Sequence, residues 1–94
     1  VSVKFGVRGM KIVPAGVEQS MSGHHHLLIN INNLPNMKMP IPSDKHHLHF
    51  GQGQTEAVIE LPKGKHTLQL LLGNHLHIPH DVPLLSDKIE IFVK

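Results

Sequence analysis

Histidines are the residues of this chain most able to do chemistry, because ten of the 94 residues are histidine and most fall in three short clusters. The first cluster covers residues 24–26 and leads directly into an apolar run. Side chains of a β-strand alternate between its two faces. His24 and His26 are therefore predicted to share one face of a strand, with His25 on the other. Two imidazoles on one face of a strand can chelate a single metal ion.

The same spacing of two histidines around one residue recurs at His47 and His49, and again at His75 and His77, with His80 close behind. If the first two strands are neighbours in one sheet, four imidazoles converge. The loop around Pro79 can then close over them, because proline limits its freedom. We therefore predict a metal site whose candidate ligands are His24, His26, His47, His49, His77 and His80.

The donor types narrow the choice of metal. The chain has no cysteine, which excludes disulfides and zinc sites built on thiolates. Imidazole suits copper, zinc, nickel and iron(II), and the Irving–Williams order places copper first in affinity. Copper is the predicted ion, with zinc as the alternative. Thioethers from Met21, Met37 and Met39 would add to such a site and favour Cu(I).

Short alternating segments predict the elements that hold these histidines. Apolar and polar residues alternate through residues 1–8, and both faces of the segment 24–32 carry apolar residues, which indicates a central strand. A tight turn at residues 62–65 predicts that segments 55–61 and 66–72 pair as an antiparallel hairpin. No segment has helical periodicity. We predict one domain over residues 1–94, an all-β, antiparallel two-sheet sandwich of immunoglobulin-like architecture with six to seven short strands.

Composition disfavours several other classes of function. The formal charge is +2 with neutral histidines, no basic run is present, and tryptophan and tyrosine are absent, so a nucleic-acid partner is not expected. No apolar run approaches the ~18 residues of a membrane span. No serine lies in a nucleophile-elbow motif. The chain begins at Val1 in a strand-like pattern without a signal peptide, and we expect it to be a mature or trimmed product.

Four segments resemble the DUF4399 family: GHHHLLI at 23–29, HLHFGQGQTE at 47–56, PKGKHTLQL at 62–70 and HIPHD at 77–81. The resemblance covers nearly the whole chain. It implies a small, β-rich bacterial domain carried on exported, periplasmic proteins, and it implies no activity. The family motif matches eight of the ten histidines and leaves out His46 and His75; the eight are His24, His25, His26, His47, His49, His66, His77 and His80.

Three hypotheses follow. The first is a periplasmic domain that binds copper, or zinc, as a carrier, buffer or sensor. The second is a structural or protein-interaction module of the cell envelope, with an envelope protein as its partner. Its histidines would then form a hydrogen-bonded network with Asn30, Asp44 or Asp81. The third is a metal-dependent enzyme, for which the sequence identifies no substrate.

The remaining histidines are predicted to have other roles. His25 and His66 share strand faces with leucines, so we expect both to be structural. His46 and His75 are expected to face solvent. Asp81 is a candidate partner that would orient a ligating imidazole.

Overall fold

A computed structural model describes residues 1–94 and contains seven β-strands and no helix. The all-β class and the number of strands are thus confirmed. No element is a helix with the length and apolar character needed to cross a membrane. The strands are β1 (Ser2–Lys4), β2 (Lys11–Ile12), β3 (Ser22–Ile29), β4 (His47–His49), β5 (Glu56–Val58), β6 (Gly64–Gly73) and β7 (Ile89–Val93).

The larger sheet has five strands and is built around β3, in which every residue is buried. One edge of β3 pairs antiparallel with β6, from His24 opposite Gly73 to Ile29 opposite Leu68. The other edge pairs antiparallel with β4 and, at its beginning, with two residues of β2. Strand β7 extends the sheet beyond β6. The predicted central position of this histidine-bearing strand is confirmed.

The smaller sheet consists of β1 and β5, which pair antiparallel. The main core cluster draws on the segments of both sheets, and six of its residues are buried: Phe5, Leu27, Ile29, Phe50, Ile59 and Leu68. A second cluster of Leu28, Ile41 and Leu71 is separate from it. Because Leu27 and Leu28 point to opposite faces of β3, the strand has an apolar neighbour on each side.

The predicted hairpin between segments 55–61 and 66–72 is wrong. Strand β5 pairs with β1, and the two edges of β6 are taken by β3 and β7. The turn after β5 instead carries the chain from one sheet to the other. It is tied down by His66, whose Nε2 donates to the Pro62 carbonyl at 2.7 Å.

Two further expectations about the sheets need revision. All pairing was expected to be antiparallel, yet Lys11 and Ile12 pair in parallel with Ser22 and Gly23. Strand β3 also begins earlier than predicted, at Ser22, and ends at Ile29. It ends there because Asn30 adopts a left-handed backbone conformation with φ of 56°, which breaks the ladder. The arrangement of the two sheets does not establish the immunoglobulin-like sandwich.

Candidate metal centre

Strand β3 separates its three histidines as the alternation of side chains requires. His25 contacts the ring of Phe5, with ring centroids 5.2 Å apart, on the side of the main core. His24 and His26 point the other way and are completely buried. In the ladder between β3 and β4, His26 lies directly opposite His49. The register therefore brings His49 beside the two buried rings of β3.

A fourth imidazole reaches the same place from the loop that follows β6. The Asn74 side chain organises this loop, since its Oδ1 accepts hydrogen bonds from the amides of Leu76 at 2.9 Å and Ile78 at 3.1 Å. His77 adopts a left-handed conformation with φ of 63°. Its carbonyl accepts a hydrogen bond from the Ile41 amide at 2.8 Å. Such a conformation costs a non-glycine residue about 1–3 kcal/mol, so it is maintained by these contacts.

Three ring nitrogens converge on one atom, Nδ1 of His77. Nε2 of His24 lies 2.8 Å from it, Nδ1 of His49 lies 3.0 Å away, and Nε2 of His26 lies 3.2 Å away. The ligand atoms of His24, His26 and His77 all lie within 4.8 Å of one another. We call His24, His26, His49 and His77 the four-histidine cluster.

These spacings are close to those between ligands of one ion. Two nitrogens bound to one ion at about 2.0–2.1 Å are about 2.8 Å apart at a right angle and about 3.4 Å apart at the tetrahedral angle. The three distances to His77 Nδ1 fall between 2.8 and 3.2 Å. The nitrogens of His24, His26 and His77 are thus spaced as candidate ligands of one ion, and His49, whose Nδ1 lies 3.0 Å from His77 Nδ1, is the fourth candidate beside them.

The hydrogen bond on the far side of His49 determines which of its nitrogens is free. Nε2 of His49 lies 2.6 Å from the Pro42 carbonyl, which can only accept, so Nε2 carries the proton. Nδ1 of His49 is then unprotonated, and its lone pair is directed at His77. A backbone carbonyl that fixes the tautomer of an imidazole in this way is the usual support of a metal ligand.

Hydrogen bonds between the rings cannot satisfy all the nitrogens of the cluster. Nδ1 of His77 has either one proton or one lone pair, so it can form one good hydrogen bond and not three. The other nitrogen of His24, Nδ1, is buried and has no partner. A buried polar atom without a partner costs about 1–3 kcal/mol. A cation shared by the four lone pairs would remove the conflict around His77.

Burial lowers the pKa of three of the four rings, those of His24, His26 and His77. Desolvation, reinforced by repulsion from His77, His49 and His25, lowers the pKa of His24 to about 4. Desolvation together with repulsion from His24, His49 and His77 lowers the pKa of His26 to about 3. The pKa of His77 is also lowered, by desolvation and then by repulsion from His49. Neutral imidazole is the form that binds metal, and these three rings hold it at pH 7.

Two glycines at the start of β3 and the end of β6 are too tightly packed to carry a side chain, and one of them lies against the cluster. A Cβ atom on Gly73 would lie 2.5 Å from Cε1 and 3.1 Å from Nδ1 of His26. A Cβ atom on Gly23 would lie 2.6 Å from the Gly73 carbonyl and 3.0 Å from Cε1 of His80. Neither position therefore has space for a larger residue, and Gly73 allows the His26 ring to lie against the β6 backbone.

The structure brings together four of the six predicted ligands and keeps two apart. His47 shares a strand face with His49, but its Nδ1 bonds to Oδ1 of Asp44 at 2.8 Å. His80 directs Nε2 to the Ser22 carbonyl at 2.9 Å. Neither ring is among the ring contacts of the cluster, which join His24, His26, His49 and His77.

Other predicted contributors also lie elsewhere. Met37 packs against the second apolar cluster, while Met21 and Met39 are exposed. Asp81 is exposed and makes no hydrogen bond to a histidine. His46 was expected to face solvent, but it is half-buried and its Nδ1 bonds to the Ile29 carbonyl at 2.9 Å.

Both histidines predicted to be structural are buried on the expected strands. His66 is satisfied on both nitrogens, by the Pro62 carbonyl and by Nδ2 of Asn30 at 3.0 Å. His25 contacts Phe5, but its Nε2 has no partner.

The residues that support the cluster were missed by reasoning from sequence. Pro42 and Ile41 hold His49 and His77 through backbone groups, for which no side-chain pattern gives a signal. Gly73 and Asn74 are adjacent at the end of the leucine-rich strand, and a Gly-Asn pair at this position predicts an ordered turn. Four surface cavities of about 200–370 Å³ include none of the four ligating candidates in their walls.

Comparison with known proteins gives a family and nothing finer. The family model described as "Domain of unknown function (DUF4399)" matches residues 3–94, and so almost the entire chain. No curated protein and no solved structure matches this chain.

Proposed function

We propose that this chain, which belongs to the DUF4399 family, binds one transition-metal ion through His24, His26, His49 and His77. The observation that carries the proposal is the approach of three ring nitrogens to within 3.2 Å of His77 Nδ1. Hydrogen bonding alone leaves this arrangement unsatisfied, which weighs against a purely structural network of histidines.

Copper is the favoured ion, and zinc is the second choice. The cluster offers only imidazole nitrogen, without thiolate or carboxylate, and copper stands above zinc in the affinity order of such donors. Met21 and Met39 are exposed and Met37 packs against the second apolar cluster. The four-histidine cluster itself contains no thioether that would favour Cu(I) over Cu(II). The cluster has no negative charge to neutralise the ion, which makes the desolvation of a divalent cation its main cost.

The role we propose is that of a carrier, buffer or sensor in the periplasm. Export is what the family resemblance implies, and a periplasmic domain meets loosely held metal. Nitrogens from two strands and one loop would surround the ion, and none of them lines any of the four cavities described above. Both features suit holding an ion better than transforming a substrate, since a catalytic site keeps an open coordination position.

The direct test is metal stoichiometry on protein purified without a nickel column. Isothermal titration with Cu(II) and with Zn(II) should give one ion per chain. His77→Gly should weaken binding at least 100-fold, because glycine suits the left-handed backbone and only the ring is lost. His47→Ala is the matched control and should bind as the unmodified chain does.

A different result would favour the second hypothesis. If neither ion binds with defined stoichiometry while circular dichroism shows folded protein, the cluster is a structural network. If His47→Ala weakens binding as much as His77→Gly, the ligand set is not the four-histidine cluster.

A further inference from the structure

Strand β7 leaves one edge of the five-stranded sheet open. It pairs with β6 alone and is the last strand on that side of the sheet. Its register with β6 is continuous, and its five residues include no proline and no lysine. Proteins usually protect an open edge with lysine, proline or a bulge, because an unprotected edge is a template for pairing with another chain. Strand β7 has none of these protections within its bounds.

The hydrogen bonds of β6 determine which backbone groups of β7 are free. Thr67 directs both its amide and its carbonyl towards Asn30, the residue after β3. The amide donates to Asn30 Oδ1 at 2.9 Å, and the carbonyl accepts from the Asn30 amide at 3.0 Å. Backbone groups alternate in direction along an antiparallel strand, so those of Glu90, which lies opposite Thr67, face away from β6. By the same alternation the amide and carbonyl of Phe92 also face the open edge.

Exposed side chains make this edge apolar as well as unpaired. Phe92 is 74% exposed and Ile89 is 52% exposed. Ile91 packs against the main core cluster, so the alternation of side chains places Glu90 and Phe92 on the opposite face of β7. A strand laid along β7 would cover part of the Phe92 ring and supply partners to the free backbone groups.

Charge favours one antiparallel register between two copies of β7. Residues whose backbone groups face outward must lie opposite each other, so the register can shift only in steps that keep this pairing. When Phe92 lies opposite Phe92 of a second copy, Glu90 of each copy lies opposite Lys94 of the other. Opposite charges and aromatic pairs across strands are both stabilising. The next register places Lys88 opposite Lys94, and the one after it places Glu90 opposite Glu90, so both bring like charges together.

A register centred on Ile89 is the remaining alternative, since it places Lys88 of one copy opposite Glu90 of the other. Lys88 is already engaged within its own chain, because its Nζ donates to the Ile31 carbonyl at 2.8 Å. This register also separates the two Phe92 rings, each of which would lie opposite residue 86, outside β7. The register centred on Phe92 therefore combines the ion pairs with the aromatic pair.

We propose that two copies of this chain associate through β7 in the register centred on Phe92, which joins their five-stranded sheets into one. The arrangement is two-fold symmetric, so each copy contributes the same residues. Glu90 contacts Lys65 of its own chain at 3.1 Å, and its carboxylate retains acceptor capacity for Lys94 of the second copy. Because only one strand of each copy is in contact, the interface is smaller than ~1,200 Å², and we expect a dissociation constant of about 0.1–1 mM. This dimer is independent of the proposed metal site.

The test is sedimentation of chelator-treated protein at concentrations from about 0.02 to about 2 mM, across the range expected for a weak dimer. Removing metal beforehand prevents exposed histidines of two copies from sharing an ion. The protein should pass from monomer to dimer over this range. In a mixture of labelled and unlabelled protein, isotope-filtered NMR should show contacts between Phe92 rings of different copies, and between Hα of Ile91 and Hα of Val93. A chain that stays monomeric at the highest concentration would overturn the proposal.

Charge reversal tests the register. Lys94→Glu should weaken association at least about fivefold, because it replaces two ion pairs by two pairs of like charges, and Glu90→Lys should act in the same direction. The double variant with both changes restores opposite charges and should recover the original dissociation constant within about twofold. Lys88→Glu is the matched control and should associate as the unmodified chain does. Failure of the double variant to recover, or equal weakening by Lys88→Glu and Lys94→Glu, would overturn the proposed register.

Discussion

The Nδ1 atoms of His49 and His77 lie 3.0 Å apart, although 28 positions separate the two residues in the chain. The opposite nitrogen of His49 is fixed by the Pro42 carbonyl. Two nitrogens of this kind face each other only if one of them carries a proton or if a cation lies between them. The state of this pair therefore reports directly on what the four-histidine cluster holds.

The first prediction concerns the tautomer of His49. In metal-free protein at pH 7.5, two-bond proton–nitrogen correlation spectra should show its proton on Nε2, because the Pro42 carbonyl can only accept. Titration with Zn(II), which is diamagnetic, should then shift Nδ1 and leave Nε2 protonated. A His49 ring protonated on Nδ1 would contradict the assignment, and unchanged His46 resonances serve as the internal control.

The second prediction concerns stability in acid. Burial lowers the pKa of His24 to about 4 and of His26 to about 3 from an ordinary value of 6.5. Below pH 6.5 these two imidazoles are protonated in the unfolded chain but stay neutral in the folded one. The free energy of unfolding therefore falls as pH falls through this range. Each such group contributes about 1.4 kcal/mol per pH unit, and the two together about 5 kcal/mol by pH 4.5.

Urea denaturation of metal-free protein at pH 8, 6.5, 5.5 and 4.5 checks this expectation. Stability should change little above pH 7 and steeply below pH 6. The His26→Asn variant should show a shallower dependence, because it lacks one of the two groups. Stability that stays constant from pH 7 to pH 4.5 would show that these rings are charged or solvated in the folded protein.

The third prediction concerns the glycine beneath His26. Gly73→Ala places a methyl group 2.5 Å from Cε1 of His26, so the ring or the β6 backbone must move. We expect a loss of about 1–3 kcal/mol in stability from overpacking and at least a tenfold loss in metal affinity. Gly6→Ala is the matched control, since a Cβ atom there meets nothing within 4 Å. Thermal melting and Cu(II) titration of both variants test this expectation. Equal melting temperatures and equal copper affinities in the two variants would exclude a packing role for Gly73.

The fourth prediction concerns the loop that presents His77. Asn74→Ala removes the acceptor of two backbone amides, those of Leu76 and Ile78, and frees the loop. We expect metal binding to weaken about tenfold with a loss of about 1–2 kcal/mol in stability. Asn36→Ala removes a similar bond, from the Lys38 amide, in a turn that makes no hydrogen bond to any of the four histidines. If both variants bind metal equally well, His77 is positioned by other contacts.

The local pattern of the sequence was enough to predict β3 and the division of its histidines. Alternation of side chains depends only on neighbouring residues, so His24 and His26 could be assigned to one face and His25 to the other. The neighbourhood of His49 was also predictable once the two strands were assumed to be adjacent. These inferences needed no knowledge of the rest of the fold.

Pairing between distant segments was not predictable in the same way. The turn at residues 62–65 has the composition of a hairpin, yet β5 pairs with β1 because β3 and β7 occupy both edges of β6. His47 and His49 share a face and a spacing, but Asp44 holds the first and Pro42 the second. Such competition between local partners and distant ones is decided by the tertiary structure, which the spacing of residues does not contain.

Three adjacent histidines in a strand also make the composition of the cluster depend on the register of that strand. A slip of one position would turn His25 towards His77 and bury two imidazoles among the leucines of the opposite face. A chain misfolded in this way would keep a plausible sheet and lose its paired nitrogens. If the cluster binds metal, the ion would stabilise only the native register. Folding in the presence of the ion would therefore select the correctly aligned strand.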